Sequence, residues 1–113
     1  MSRFAIAGIQ MKVSSVQSNV EMMKLKLDIT MNLYPWVQMV VFSELCGYGP
    51  LTHTAQEIPS VFEAEMQAMA HKYGIWLLPG SVFEKRGEEI YNTASVINPQ
   101  GEIVSRYSKM FPF

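Results

Sequence analysis

The sequence has a single cysteine, Cys46, almost no net charge, no apolar run approaching a membrane span of about 20 residues, and no glycine-rich phosphate loop. One thiol rules out an internal disulfide and a cysteine-based metal cluster, and it fits a reducing compartment. No run is long enough to span a bilayer, and Met1-Ser2-Arg3 leads straight into a strand-like segment with no cleavage site. Neither insertion nor secretion is signalled, so a cytoplasmic protein is expected. Nine basic and ten acidic residues leave a formal charge of −1, which gives no electrostatic reason to expect a nucleic acid or a membrane surface as partner. Gln10-Met11-Lys12-Val13 stands where a nucleotide-binding strand would turn into glycines, which argues against that class. Repeats, linkers and low-complexity segments are also missing. The 113 residues, about half of them apolar, suffice for one soluble domain with one modest core, residues 1–113.

The most informative stretch is Val40-Val41-Phe42-Ser43-Glu44-Leu45-Cys46-Gly47-Tyr48-Gly49-Pro50. An apolar β-branched run with a Phe reads as a buried strand, and Gly-x-Gly-Pro after the carboxylate reads as a loop. Glu44 therefore stands where a core strand ends. In open α/β sheets ligands bind outside the carboxyl ends of the strands, so an acid there is well placed for chemistry. Position alone fits equally a loop cap or a surface charge.

Phe4 to Met11 is apolar on both faces, as a central strand of a covered sheet would be. Ser18-Asn19-Val20-Glu21 matches a capping box, and Val20, Met23, Leu27, Met31 and Tyr34 then recur at helical spacing up to Pro35. The methionines among them read as adaptable core filler. Val37 to Phe42 is the second strand. Ser60-Val61-Phe62-Glu63 is a second capping box, and Val61, Met66, Met69, Ala70 and Tyr73 line a helix face ending at Gly74. His71, beside Lys72, reads as a charge suited to that helix C-terminus. Ile75 to Phe83 is strand-like with a Pro79-Gly80 interruption, Arg86-Gly87-Glu88 makes a hairpin turn, and Ile90 to Ile97 runs back. Asn98-Pro99-Gln100-Gly101 is a turn, and Glu102 to Ser108 is a last strand leading to Lys109. The order β-α-β-α-β-β-β describes a sheet begun by crossover helices and extended by antiparallel hairpins, an α/β fold. The apolar Met110-Phe111-Pro112-Phe113 ending is unusual for a terminus, and a chain cut short is expected.

Four pieces in order carry a resemblance: Phe4-Ala5-Ile6-Ala7-Gly8-Ile9-Gln10-Met11; Val40-Val41-Phe42-Ser43-Glu44-Leu45 with Gly47-Tyr48; Tyr91-Asn92-Thr93-Ala94 with Gly101-Glu102; and Tyr107-Ser108-Lys109. Together they resemble the nitrilase or carbon-nitrogen hydrolase superfamily over the whole chain. The resemblance implies an amino-terminal part of a four-layer α-β-β-α sandwich that hydrolyses carbon-nitrogen bonds other than peptide bonds with a Glu, a Lys and a Cys. It implies Glu44 and Lys109 as catalytic residues and Tyr48 as a substrate-binding residue. It further implies a small-molecule amide or nitrile substrate, a homo-oligomer, and no metal or organic cofactor, since the Lys supplies the electrophilic charge.

These roles are chemically coherent. A carboxylate beside a thiol can take its proton, and an ammonium can stabilise the charge developing on the substrate. Burial against each other would hold both groups ionised or let them exchange a proton. Without the resemblance the pair reads as an ion pair between strand ends. Two departures stand out. Ser43 occupies a place where the family commonly has Pro, and the family's nucleophilic Cys lies beyond the Lys, where this sequence has only four more residues. The 113 residues alone are therefore expected to be inactive. Cys46 comes from the wrong strand to replace that Cys, and a Cys46–His53 thiol pair is the weaker reading beside Cys46 as a small buried hydrophobe. The residues after Lys109, with Pro and an aromatic, lean toward the amidase branch. The competing expectation is a non-catalytic truncated module, whose uncovered sheet would require a partner or an oligomer.

Overall fold

The structure is a computed structural model, and it describes residues 3–110. Its elements are β1 (Ile6–Ile9), α1 (Val20–Leu33), β2 (Met39–Phe42), a short 3-10 turn (Thr52–Thr54), α2 (Val61–Tyr73), β3 (Trp76–Leu78), β4 (Ser81–Arg86), β5 (Glu89–Ile97) and β6 (Ile103–Met110). The sheet runs β1-β2-β3-β5-β4, with β6 on the free edge of β5. β1, β2 and β3 are parallel, with Ile6 opposite Met39 and Val40 opposite Leu77, and the rest is antiparallel. Pro79-Gly80 does more than interrupt one strand. It divides it into β3 and β4, which share one edge of β5, so four strands follow α2 where the sequence pattern suggested three.

The two crossovers step in the same direction, from β1 to β2 and from β2 to β3. Right-handed connections then place α1 and α2 on the same face. The core lies between them and the sheet, with Met23, Leu27 and Met31 of α1, Phe62, Met66 and Ala70 of α2, and Val40, Phe42, Leu77 and Ile97 of the strands, all buried. The opposite face, carrying Ile6, Met39, Val41, Leu78, Val96 and Tyr107, has no helical layer among the described residues. Ile6 is 61% and Tyr107 73% exposed. β1 is consequently an edge strand with one open face rather than the central, covered strand its composition suggested.

Local signals met mixed outcomes. Ser60 accepts a hydrogen bond from the Glu63 amide at 3.2 Å, and Gly74 closes α2 in the left-handed conformation at φ 60°. Yet the Glu63 carboxylate does not return to the cap, because it is bound elsewhere. At α1 the cap residue is Asn19, whose side chain holds Ser14 and Gly47 instead of the helix, and Ser18 reaches only the Val20 amide. That capping box is not formed. Tyr34 and Val61 are exposed, and Phe62 takes the buried place expected of Val61, since α2 leans on the sheet one residue further round. The turn at Asn98 forms as the sequence indicates, with Gly101 donating to the Asn98 carbonyl at 2.9 Å. Phe111-Pro112-Phe113, which bear on the amidase leaning, lie outside the described residues.

Candidate active site

β2 ends at Phe42, and Ser43 hands the chain to a tight turn that begins with Glu44. Leu45 takes a positive φ of 58°, which side chains adopt only when the surroundings impose it. Those surroundings come from the Pro79-Gly80 break. The Ser81 hydroxyl accepts the Leu45 amide at 3.0 Å, and Gly80, at φ 79°, lies so close to the Ser43 carbonyl oxygen that any Cβ would overlap it. The Gly49 amide closes the turn on the Leu45 carbonyl at 2.9 Å. Glu44 is thus held by the neighbouring strand as well as by its own.

Across the sheet, β5 and β6 pair in a register that sets Asn92 opposite Lys109. Alternation along the strands puts both on the helix-free face, with Ala94, Val96, Ser105 and Tyr107. There Glu44 meets them. The Lys109 Nζ lies 3.4 Å from Glu44 Oε1, and Asn92 Nδ2 donates to the same oxygen at 2.5 Å. The three side chains line one end of an open concavity of about 440 Å³ whose walls are largely apolar. Glu44 and Lys109 are 59% and 55% exposed, so the mutual burial expected from the sequence is not found. The helix-free face has nothing over it among the described residues.

The helix-facing side of the same strands is tied down by two ionic networks. Arg106 binds the buried Glu63 of α2 through two hydrogen bonds of 2.9 and 2.8 Å, and Ser95 donates to the same carboxylate. Burial alone would raise the Glu63 carboxyl, but the hydrogen bonds from Arg106 and Ser95 outweigh it and hold the group below the usual carboxylate range. Arg86 likewise grips Glu84, lowering its carboxyl against the opposing effect of burial, with Thr93 donating at 2.6 Å. Ser108, directly before Lys109, is held by Arg86 and shares a hydrogen bond with Thr93. These contacts lock the β5–β6 register that presents Lys109.

The other residues singled out in the sequence lie elsewhere. Cys46 is fully buried in the core, and burial pushes its thiol up, with the Ser43 hydrogen bond only partly opposing this. His53 is exposed on the 3-10 turn, so it makes no buried pair with that thiol. His71 is exposed in the last turn of α2. Tyr48 packs edge-to-face on Phe62 with ring centroids 5.8 Å apart and does not line the concavity. Among the described residues no three His, Cys, Asp or Glu side chains gather as a metal-binding group. Sequence reasoning passed over Asn92 and Ser81 as site residues. Asn92 stood within the Tyr91-Asn92-Thr93-Ala94 motif, whereas Ser81 carried no signal of its own.

The family model for carbon-nitrogen hydrolases matches residues 3–113. A formamidase of Helicobacter acinonychis is 32% identical over 97% of this chain and 37% of its own length. An omega-amidase of Danio rerio is 28% identical over all of this chain and 42% of its own. Saccharomyces cerevisiae Nit3, a member of branch 10 of the nitrilase superfamily, superposes with a TM-score of 0.84 at 22% identity, covering 94% of this chain and 44% of that structure. The chain spans about two fifths of the length of the curated relatives it matches.

Proposed function

The chain belongs to the carbon-nitrogen hydrolase family, and on that premise we propose that it contributes the general base and the cationic group of an amidase site acting on small primary amides. The observation that carries this reading is the approach of Lys109 Nζ to Glu44 Oε1 at 3.4 Å in the lining of the concavity. Glu44 takes the proton of a cysteine thiol, and the thiolate attacks the amide carbon. Lys109 stabilises the negative charge on the carbonyl oxygen. Collapse of this intermediate expels ammonia, which leaves with the proton from Glu44, and a thioester remains. Glu44 then takes a proton from water, whose oxygen attacks the thioester. The acid is released, and the thiol regains its proton.

The thiol in this scheme is not Cys46, which is buried away from the concavity and hard to ionise. It comes from sequence outside these 113 residues, so residues 1–113 alone are inactive. The whole protein is a cytoplasmic homo-oligomer that needs neither metal nor organic cofactor. No helix among the described residues is long and apolar enough to cross a membrane.

The test uses the protein as its host makes it. We expect ammonia release from small aliphatic primary amides, abolished by Glu44→Gln with an unchanged circular dichroism spectrum. Activity surviving that substitution would refute the assignment. A second reading, a non-catalytic assembly module, draws on the uncovered apolar sheet face with Ile6 and Tyr107. It expects a native polypeptide of 12.8 kDa that forms a stable complex and releases no ammonia.

A further inference from the structure

The geometry points to Asn92 as the positioning residue that divides the work of the two Glu44 oxygens: its carboxamide holds Oε1 beside Lys109 and leaves Oε2 as the oxygen that exchanges protons. This inference rests on the proposed role of Glu44 as general base. Glu44 itself stands in a turn and is 59% exposed. Among the described residues its side chain has two polar partners, Asn92 and Lys109, and both engage Oε1. Lys109 is a long, half-exposed side chain. Asn92 is the opposite: 6% exposed, on the central strand β5, paired with Phe83 on one side and Lys109 on the other. Among the described residues it is the one buried group that donates to the carboxylate.

The orientation of the carboxamide follows from chemistry. An ionised carboxylate only accepts hydrogen bonds, so Asn92 must turn Nδ2 toward Glu44. That sends Oδ1 the other way, into the protein, where it is buried and has no hydrogen-bond donor among the described residues. A buried acceptor without a donor lowers stability, and an apolar residue of the same shape would avoid the loss. Asn92 therefore does not serve the fold at this position. It serves the carboxylate, at the cost of an orphaned oxygen. With Oε1 occupied by Asn92 and Lys109, Oε2 has no hydrogen bond among the described residues and is free to take the proton of an arriving thiol or water.

The experiment compares wild type, Asn92→Leu and Glu44→Gln in the protein as its host makes it, by amide-hydrolysis kinetics and thermal unfolding. For Asn92→Leu we expect kcat to fall by about 100-fold, as misplacement of a catalytic group costs. The thermal midpoint should be unchanged or higher, because the orphaned acceptor is gone. An unchanged kcat, or a lower kcat that comes with a lower midpoint, would overturn the inference. If the leucine variant does not fold, Asn92→Ala is judged by the same two readouts, and failure of that variant to fold as well assigns Asn92 to the structure and overturns the inference too. Nitrogen-15 NMR gives a readout independent of activity: one Asn92 side-chain amide proton should lie downfield in the wild type and return to the ordinary range in Glu44→Ala. Full activity of Glu44→Gln would defeat the assignment of Glu44, whereas loss of activity in Glu44→Gln alone, with Asn92→Leu active, would defeat only the positioning role of Asn92.

Discussion

Gly80 packs directly beneath Ser43, so close that a Cβ at Gly80 would overlap the Ser43 carbonyl oxygen. The residue that breaks β3 from β4 thereby also sets the height of the turn that carries Glu44. Gly80→Ala should cost about 1–3 kcal/mol from the strained φ of 79° alone, with the backbone overlap adding to it. Urea denaturation should report that loss, and the amide hydrolysis proposed for the whole protein should fall because Ser43 must shift. Gly8→Ala is the control. An added Cβ there meets nothing within 4 Å, and its urea midpoint should stay close to that of the wild type.

Glu63 and Glu84 make stability dependent on acid. Both carboxyls are held below their ordinary value of 4.5 in the folded chain. A depressed group contributes stability that is complete above its unfolded value and is lost as pH falls through its folded one. Stability should therefore be level near neutrality and decline once pH drops below about 4.5, following both carboxyls down. Glu63→Gln should lower neutral stability by about 1–3 kcal/mol, since Arg106 loses its partner but is 39% exposed and can be hydrated. The decisive comparison is the slope of unfolding free energy between pH 5 and pH 3, on the order of one pair's titration, which should be shallower in the variant.

Cys46 should be chemically silent while the chain is folded. Its side chain is wholly buried and its thiol is pushed up, so both access and thiolate are lacking. A thiol reagent such as iodoacetamide should label it only after denaturation. Cys46→Ala should cost about 1 kcal/mol of stability and leave the amide hydrolysis proposed for the whole protein as it was. Rapid labelling of native Cys46 would reopen it as a nucleophile.

The two serines that begin helices should differ. Ser60 caps α2 through the Glu63 amide, so Ser60→Ala should cost about 1 kcal/mol. Ser18 touches only the Val20 amide, outside the cap proper, and Ser18→Ala should cost about half of that or less. Thermal unfolding of the two variants measures the difference, and equal losses would mean that Ser18 caps α1 in solution.

The capping serines also show where sequence reading works and where it stops. Ser60-x-x-Glu63 and Ser18-x-x-Glu21 are the same pattern, yet only the first forms even half of the box. Glu63 was drawn away by Arg106, 43 residues on, and Asn19 by Ser14 and by Gly47. Val61 and Phe62 exchanged places for a related reason: the apolar period gave the helix, but which neighbouring residue is buried depends on how the helix leans on the sheet.

What the sequence determined by itself was whatever depends on near neighbours along the chain. The turn at Asn98, the glycine at the end of α2, the apolar steps of α1 and the strand that delivers Glu44 all follow from residues within a few positions of each other, because backbone preference and helical or strand periodicity act at that range. The family motifs singled out Glu44 and Lys109 as candidates without any coordinates. Only the tertiary structure decided that β1 is an edge strand, that Gly80 and Ser81 support the Glu44 turn, and that Asn92 reaches Glu44 across 48 positions. Those relationships are set by strand order and register, and register is chosen by the packing of a whole face at once, so no single stretch of sequence contains it.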